Sequence, residues 1–258
     1  MIRTVKLDNK PLCMVKNSGK VYIGDARGCI YEISHPFMKI KHIFTASGPV
    51  SAICFFGSKM FCGTWDGVVY QDLRQLKLGE KPVKCMCSFN NKLFVSVDKR
   101  LVVLDENLSI IEKYDTSNKI FCMEEKNGRL YLGLGAGLLA SYMGEYEGEN
   151  KSSHSSTILC MRNGITGSCD CTVRKNDEIA FEGSSWIRSI WDGNLFSCGR
   201  HVICNNEKIY THDDEVVGLL RINNFIISIG LDFCYKIYES GVAIDEHEEK
   251  ELLEILNS

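Results

Sequence analysis

The chain predicts an all-β fold made of seven copies of one small antiparallel sheet, closed into a ring. Three observations predict it. A short apolar strand recurs seven times, its starts spaced 29–38 residues apart along 258 residues, and a period of that length marks a repeat architecture. Each copy is followed by a second apolar segment that runs into a Gly, Asp, Asn or Lys turn, as a buried strand entering a hairpin does. Helical periodicity is absent until the last dozen residues.

The first strands read LCMVK from Leu12, VSAICFF from Val50, VKCMCSF from Val83, IFCMEE from Ile120, ILCMR from Ile158, IRSIW from Ile187 and VVGLLR from Val216. Second strands with their turns occupy 20–28, 59–67, 92–100, 129–137, 163–171, 194–202 and 225–233. Third strands follow as CIYEI, VVYQD, LVVLD, LLASY, CTVRK and CYKIY. Seven units of three or four strands exceed one flat layer. Radial repetition packs each small sheet on its neighbours and leaves only short edges. The seventh unit shows three strands before the pattern turns helical, while Ile2–Leu7 (IRTVKL) stands unused before the first unit. The N-terminal strand is therefore expected to complete the last blade. The expected architecture is a closed seven-bladed β-propeller of four-stranded blades over 1–244, followed by an acidic, helical tail over 245–258.

Composition bounds the function. With 45% hydrophobic and 24% charged residues, the chain is of the globular kind and not the disordered kind. No run approaches the ~20 apolar residues of a membrane span, the first residues lack the apolar core of a signal peptide, and no membrane contact is expected. Thirteen cysteines without an export signal read as reduced thiols of a cytoplasmic or nuclear protein. The formal net charge of −3 divides into −5 over the last fourteen residues and +2 over the rest. A body so nearly neutral argues against nucleic acid as the principal ligand, leaving such contact only indirectly, through a complex. No cofactor or metal is expected: Cys85-x-Cys87 and Cys169-x-Cys171 lack the paired two- to four-residue spacers of zinc sites. Gly133, Gly135 and Gly137 precede LLASY, a strand, whereas a phosphate loop opens a helix.

A strand, an Asp turn and a further strand, with a His before the first strand, resemble the WD-repeat family of β-propellers over about 240 of the 258 residues. Members hold a His, a Ser or Thr, an Asp and a Trp in one hydrogen-bonded set within a blade. The seventh repeat resembles this best, with His212, Ser228, Asp232 and, where the Trp falls, Tyr238. The fifth keeps His154, Thr166 and Asp170, with Asn176 replacing the aromatic. The second keeps Asp66 alone, with Cys62 at the hydroxyl position. The family's closing Trp-Asp pair is largely missing, and no repeat carries its Gly-His pair.

The resemblance implies that these polar groups lock blades. It also implies that the turns between second and third strands share one rim with the loops before the first strands, and that partners dock there. That rim takes in Arg27, Trp65, Lys99, Arg100, His201 and Phe233 from turns and Trp186 from a pre-strand loop. Trp and Arg are enriched at binding hot spots. The implied function is a non-enzymatic scaffold or adaptor, a monomeric propeller that binds proteins or peptides within a complex of the ubiquitin-pathway, RNA-processing, ribosome-assembly or checkpoint type. A reader of phosphopeptides or RNA through the basic, aromatic rim is the alternative, and a propeller hydrolase a remote one. Hydrolysis needs acids, His or metal ligands converging on the channel. Among the inner-strand segments quoted above, Glu124 and Glu125 are the acids.

Overall fold

A computed structural model describes residues 2–35, 37 and 39–240. Seven four-stranded antiparallel sheets form a ring, six of them simple meanders running outward from the innermost strand. The inner strands are Pro11–Asn17, Val50–Phe56, Val83–Phe89, Ile120–Lys126, Ile158–Arg162, Ile190–Asp192 and Val216–Ile222. Six begin at or next to the predicted starts. In blade 6 the predicted start at Ile187 belongs to the loop ahead of a three-residue strand. That blade's third strand, His201–Cys204, was absent from the predicted set.

In the seventh sheet Ile2–Lys6 pairs antiparallel with Cys234–Glu239, from Ile2 opposite Tyr238 to Lys6 opposite Cys234. The chain's first strand is thus the outer strand of its last blade, and the ring closes as expected. The one helical turn among the described residues is Gly135–Gly137, a single 3-10 turn. The predicted tail helix at 245–258 lies outside the described residues.

Neighbouring blades meet through glycine. In the second strands of blades 1, 2 and 4 a Gly faces the first inner-strand residue of the next blade, and in blade 5 it faces Ile187 in the loop entering the inner strand of blade 6. A Cβ added at Gly24, Gly63, Gly133 or Gly167 would fall 2.3–2.9 Å from a side-chain carbon of Val50, Val83, Ile158 or Ile187 respectively. Those four branched residues are fully buried, each burial stabilising by roughly 1.5–3 kcal/mol. The same layer explains several cysteines. The thiols of Cys13, Cys122 and Cys160 donate across the blade boundary to the carbonyls of Val50, Ile158 and Ile187, at 3.5, 3.8 and 3.3 Å. In blade 2 the Ser51 hydroxyl donates to Val83 O at 2.6 Å. A small side chain with a weak donor fits this crowded layer.

Every inner strand carries a register shift against its neighbour. Bulges of this kind bend a strand and increase its twist, which suits seven strands converging on one axis.

Candidate interaction surface

One face of the ring is built by the turns between second and third strands and by the loops entering each inner strand. In all seven blades the residue following the outer strand donates its amide to a turn carbonyl at 2.7–2.9 Å: Ala46 to Gly28, Leu78 to Gly67, Thr116 to Lys99, Ser152 to Gly137, Gly183 to Cys171, His212 to Arg200 and Leu7 to Phe233. The backbone of this rim is therefore pinned, and its side chains are held at defined positions.

The turns reach left-handed φ to do this. Gly28, Gly67 and Gly137 have φ of 89°, 78° and 68°, and in blade 7 the same place is taken by Phe233 at 62°. A non-glycine residue there costs roughly 1–2 kcal/mol. A bulky aromatic residue, 47% exposed, sits in strained backbone with the Lys10 ammonium 5.5 Å above its ring. Strain of this sort gathers at functional positions.

The other expected rim residues fall on the same face. Trp65 is 47% exposed and Trp186 44%. Arg27 and Lys99 are exposed. Arg188 stacks 4.7 Å from the Trp186 ring while its Nε lies 2.8 Å from Glu215. Arg100 is half-buried: its guanidinium folds back against Gly79, in the loop between blades 2 and 3. His201 is also half-buried, its Nδ1 2.9 Å from the Thr211 hydroxyl. Burial, with the charges of Lys208 and Arg200, holds its pKa below the ordinary imidazole value.

Beneath the rim lie the polar sets. In blade 5 His154 Nδ1 is 2.9 Å from Asp170 and Nε2 is 2.8 Å from the Thr166 hydroxyl. In blade 7 His212 Nδ1 is 3.0 Å from Asp232 and Nε2 is 2.7 Å from Ser228 Oγ. Tyr238 does not join this set. The Tyr210 hydroxyl, from the outer strand of blade 6, donates to Ser228 at 3.0 Å, and Tyr238 packs against the Tyr210 ring. The bond thus comes from the neighbouring blade: in the register of blade 7, Lys236 stands opposite Ser228, and Tyr238 stands opposite Ile226, two residues away. In blade 2 the Asp66 carboxylate accepts from Thr64 and, at 3.4 Å, from Ser47, so the hydroxyls come from these residues and Cys62 makes no bond to Asp66.

Two further members of the polar sets escaped sequence reasoning. Cys234 donates to Asp232 at 3.1 Å and lies 3.6 Å from His212 Nδ1. Thr172 holds the equivalent place in blade 5, donating to Asp170 at 2.7 Å. His212, Asp232 and Cys234 offer ligand atoms within 4.8 Å of one another. Each already has a hydrogen-bond partner, and burial followed by the Asp232 carboxylate pushes the Cys234 thiol up to about 12. The cluster matches blade 5, where a hydroxyl replaces the sulfur, so its geometry is that of a blade lock.

Towards the opposite end of the inner strands stands Trp191 of blade 6. Its ring carries the Arg162 guanidinium of blade 5 at 4.0 Å and the Lys16 ammonium of blade 1 at 5.5 Å. The acids at this end serve turns. Glu124 accepts from the amides of Asn163 and Gly164, Glu125 from Gly128, and Asp192 from Asn194 and Leu195.

No protein-family model matches the sequence, and no curated protein matches it. Among solved structures, the WD40 β-propeller domain of Doa1 superimposes with a TM-score of 0.75 at 14% identity, over 91% of this chain and 95% of that one. The computationally designed Ika8 protein does so with a TM-score of 0.62 at 13% identity, over 91% and 98%. The fold is that of a WD40 propeller. WD40 propellers commonly act as protein-interaction scaffolds, and at these identities the likeness speaks for the fold alone.

Proposed function

We propose that this WD40-type propeller is a non-enzymatic adaptor that holds protein or peptide partners on its turn-bearing rim, as a monomer within a larger complex in the cytoplasm or nucleus. The observation that carries this reading is the placement of three exposed aromatic residues, Trp65, Trp186 and Phe233, on a backbone pinned by seven repeated hydrogen bonds. A rigid platform of this kind binds with little ordering cost to itself. The engagement of Glu124, Glu125 and Asp192 by turn amides supports a non-catalytic reading.

The test is affinity purification of the tagged full chain from its own cells, comparing wild type with Trp65→Ala/Arg100→Glu. Loss of near-stoichiometric partners from the variant, at unchanged melting temperature, is the expected result. Retention of the same partners overturns the rim assignment.

A further inference from the structure

Lys84 is the second residue of the inner strand of blade 3, exposed within an otherwise apolar segment. Its equivalents in blades 1, 4, 5 and 7 are Leu12, Phe121, Leu159 and Val217, all half-buried, so most of the collar at this level of the channel is apolar. In blade 6 the equivalent is Arg188. Lys119 stands immediately before the inner strand of blade 4. Of these three cations, Arg188 has Glu215 at 2.8 Å and Lys119 has Asp98 at 3.8 Å. Lys84 has no carboxylate in reach among the described residues. Burial, joined by the like charges of Lys119 and Arg188, holds its ammonium below the usual lysine pKa. A cation with like charges near it and no carboxylate in reach is a poor arrangement for the protein alone and a good one for an incoming anion. At the far end of the inner strands the Trp191 ring is already occupied by Arg162 and Lys16.

We propose that the rim-side mouth of the channel receives an acidic side chain of a partner protein's peptide segment, and that Lys84 is the residue that recognises it. The apolar collar accepts the residues flanking that carboxylate, and Arg188, stacked on Trp186, supplies a second positive edge. This rests on the rim being the docking face, and it goes further by naming the chemistry of the partner.

The test is selection of binders from a random dodecamer peptide library displayed on phage, against the immobilised full chain. Selected peptides should share one fixed Asp or Glu. In fluorescence titrations of a labelled selected peptide, Lys84→Met should weaken binding about tenfold, the scale of one charge-assisted hydrogen bond. Lys84→Arg should largely retain it, and Lys84→Glu should select peptides with Lys or Arg at the same position. Lys84 is exposed, so thermal melts of these variants should match wild type. Peptides with no fixed acid, or with affinity unchanged in Lys84→Met, overturn the proposal. If those same peptides still lose binding in Trp65→Ala/Arg100→Glu, the rim reading stands and only the role of Lys84 fails. If neither variant affects them, both fail.

Discussion

The Tyr235 hydroxyl donates to the carbonyl of Phe37 at 2.8 Å, joining the last blade to the first across 198 residues of sequence. Phe37 is fully buried and packs edge-on against Phe225 of blade 7 with ring centroids 5.6 Å apart. The ring is thus fastened twice, once by the N-terminal strand that completes blade 7 and once by this insertion between blades 7 and 1. The two fastenings differ in kind. The strand supplies a ladder of backbone bonds, and Phe37 supplies apolar burial with a single hydrogen bond.

Removing these fastenings should have graded effects. Tyr235→Phe loses one buried hydrogen bond and should cost about 0.5–1.5 kcal/mol in urea unfolding. Deleting residues 1–10 exposes the edge of the Cys234–Glu239 strand and removes the buried Leu7, and should lower the midpoint far more, with broadened or multiphasic unfolding. A truncated chain that unfolds like wild type would show that closure by this strand contributes little.

Glycine at the blade boundary is a packing requirement. Gly63→Ala places a methyl 2.3 Å from Val83 Cγ1, which forces a shift and should destabilise by roughly 1–3 kcal/mol. Val83→Ala alone is also destabilising. The double variant should lose less than the sum, since the new methyl then enters vacated space. Strict additivity in urea titrations would place the clash elsewhere.

The polar sets predict an acid-side loss of stability. Burial raises the pKa of Asp170, but bonds from Thr172, His154 and the Ser155 amide outweigh it and bring the value down to about 2. A depressed carboxylate pKa stabilises the fold above its unfolded value of about 3.9 and loses that contribution as pH falls from there towards 2. For His212 burial is the largest influence and lowers its pKa, outweighing the Asp232 carboxylate. Its contribution is complete above about 6.5 and declines as pH drops below that. Unfolding free energy measured from pH 7 to 2.5 should therefore fall in two stages. In Asp170→Asn the stage below pH 4 should shrink, and Cys234→Thr should be tolerated because Thr172 occupies that place in blade 5.

Thiol chemistry should be quiet at the inner layer. Burial pushes Cys85 and Cys87 up to about 12 and Cys54 to about 11, and raises Cys13, Cys122 and Cys160 further. The thiolate is the reactive form, so these six should resist iodoacetamide at neutral pH in the native protein and alkylate only on unfolding. Site-resolved mass spectrometry checks this, and rapid native labelling of Cys85 or Cys122 would contradict their raised pKa values.

The repeat, the number of blades and the closing strand were legible because the second strands are almost wholly buried and each inner strand opens on a buried residue, so burial writes an apolar run at every repeat. Outer strands such as Lys39–Thr45 and Glu178–Glu182 are mostly exposed, so no apolar pattern announces them. The rim residues could be placed from their turn positions, since a turn between two recognised strands has only one face to occupy.

What the amino-acid order alone determined was therefore the local hydropathy and turn chemistry, repeated seven times, together with the pairing of His154 with Asp170 and of His212 with Asp232. Tertiary structure decided which groups meet across blades: Tyr210 rather than Tyr238 on Ser228, Phe37 under Tyr235, and Arg162 and Lys16 over Trp191. The reason is geometric. Contacts within a blade follow from register along neighbouring strands, whereas contacts between blades depend on the angle and depth at which whole sheets pack, and no short stretch of sequence carries that information.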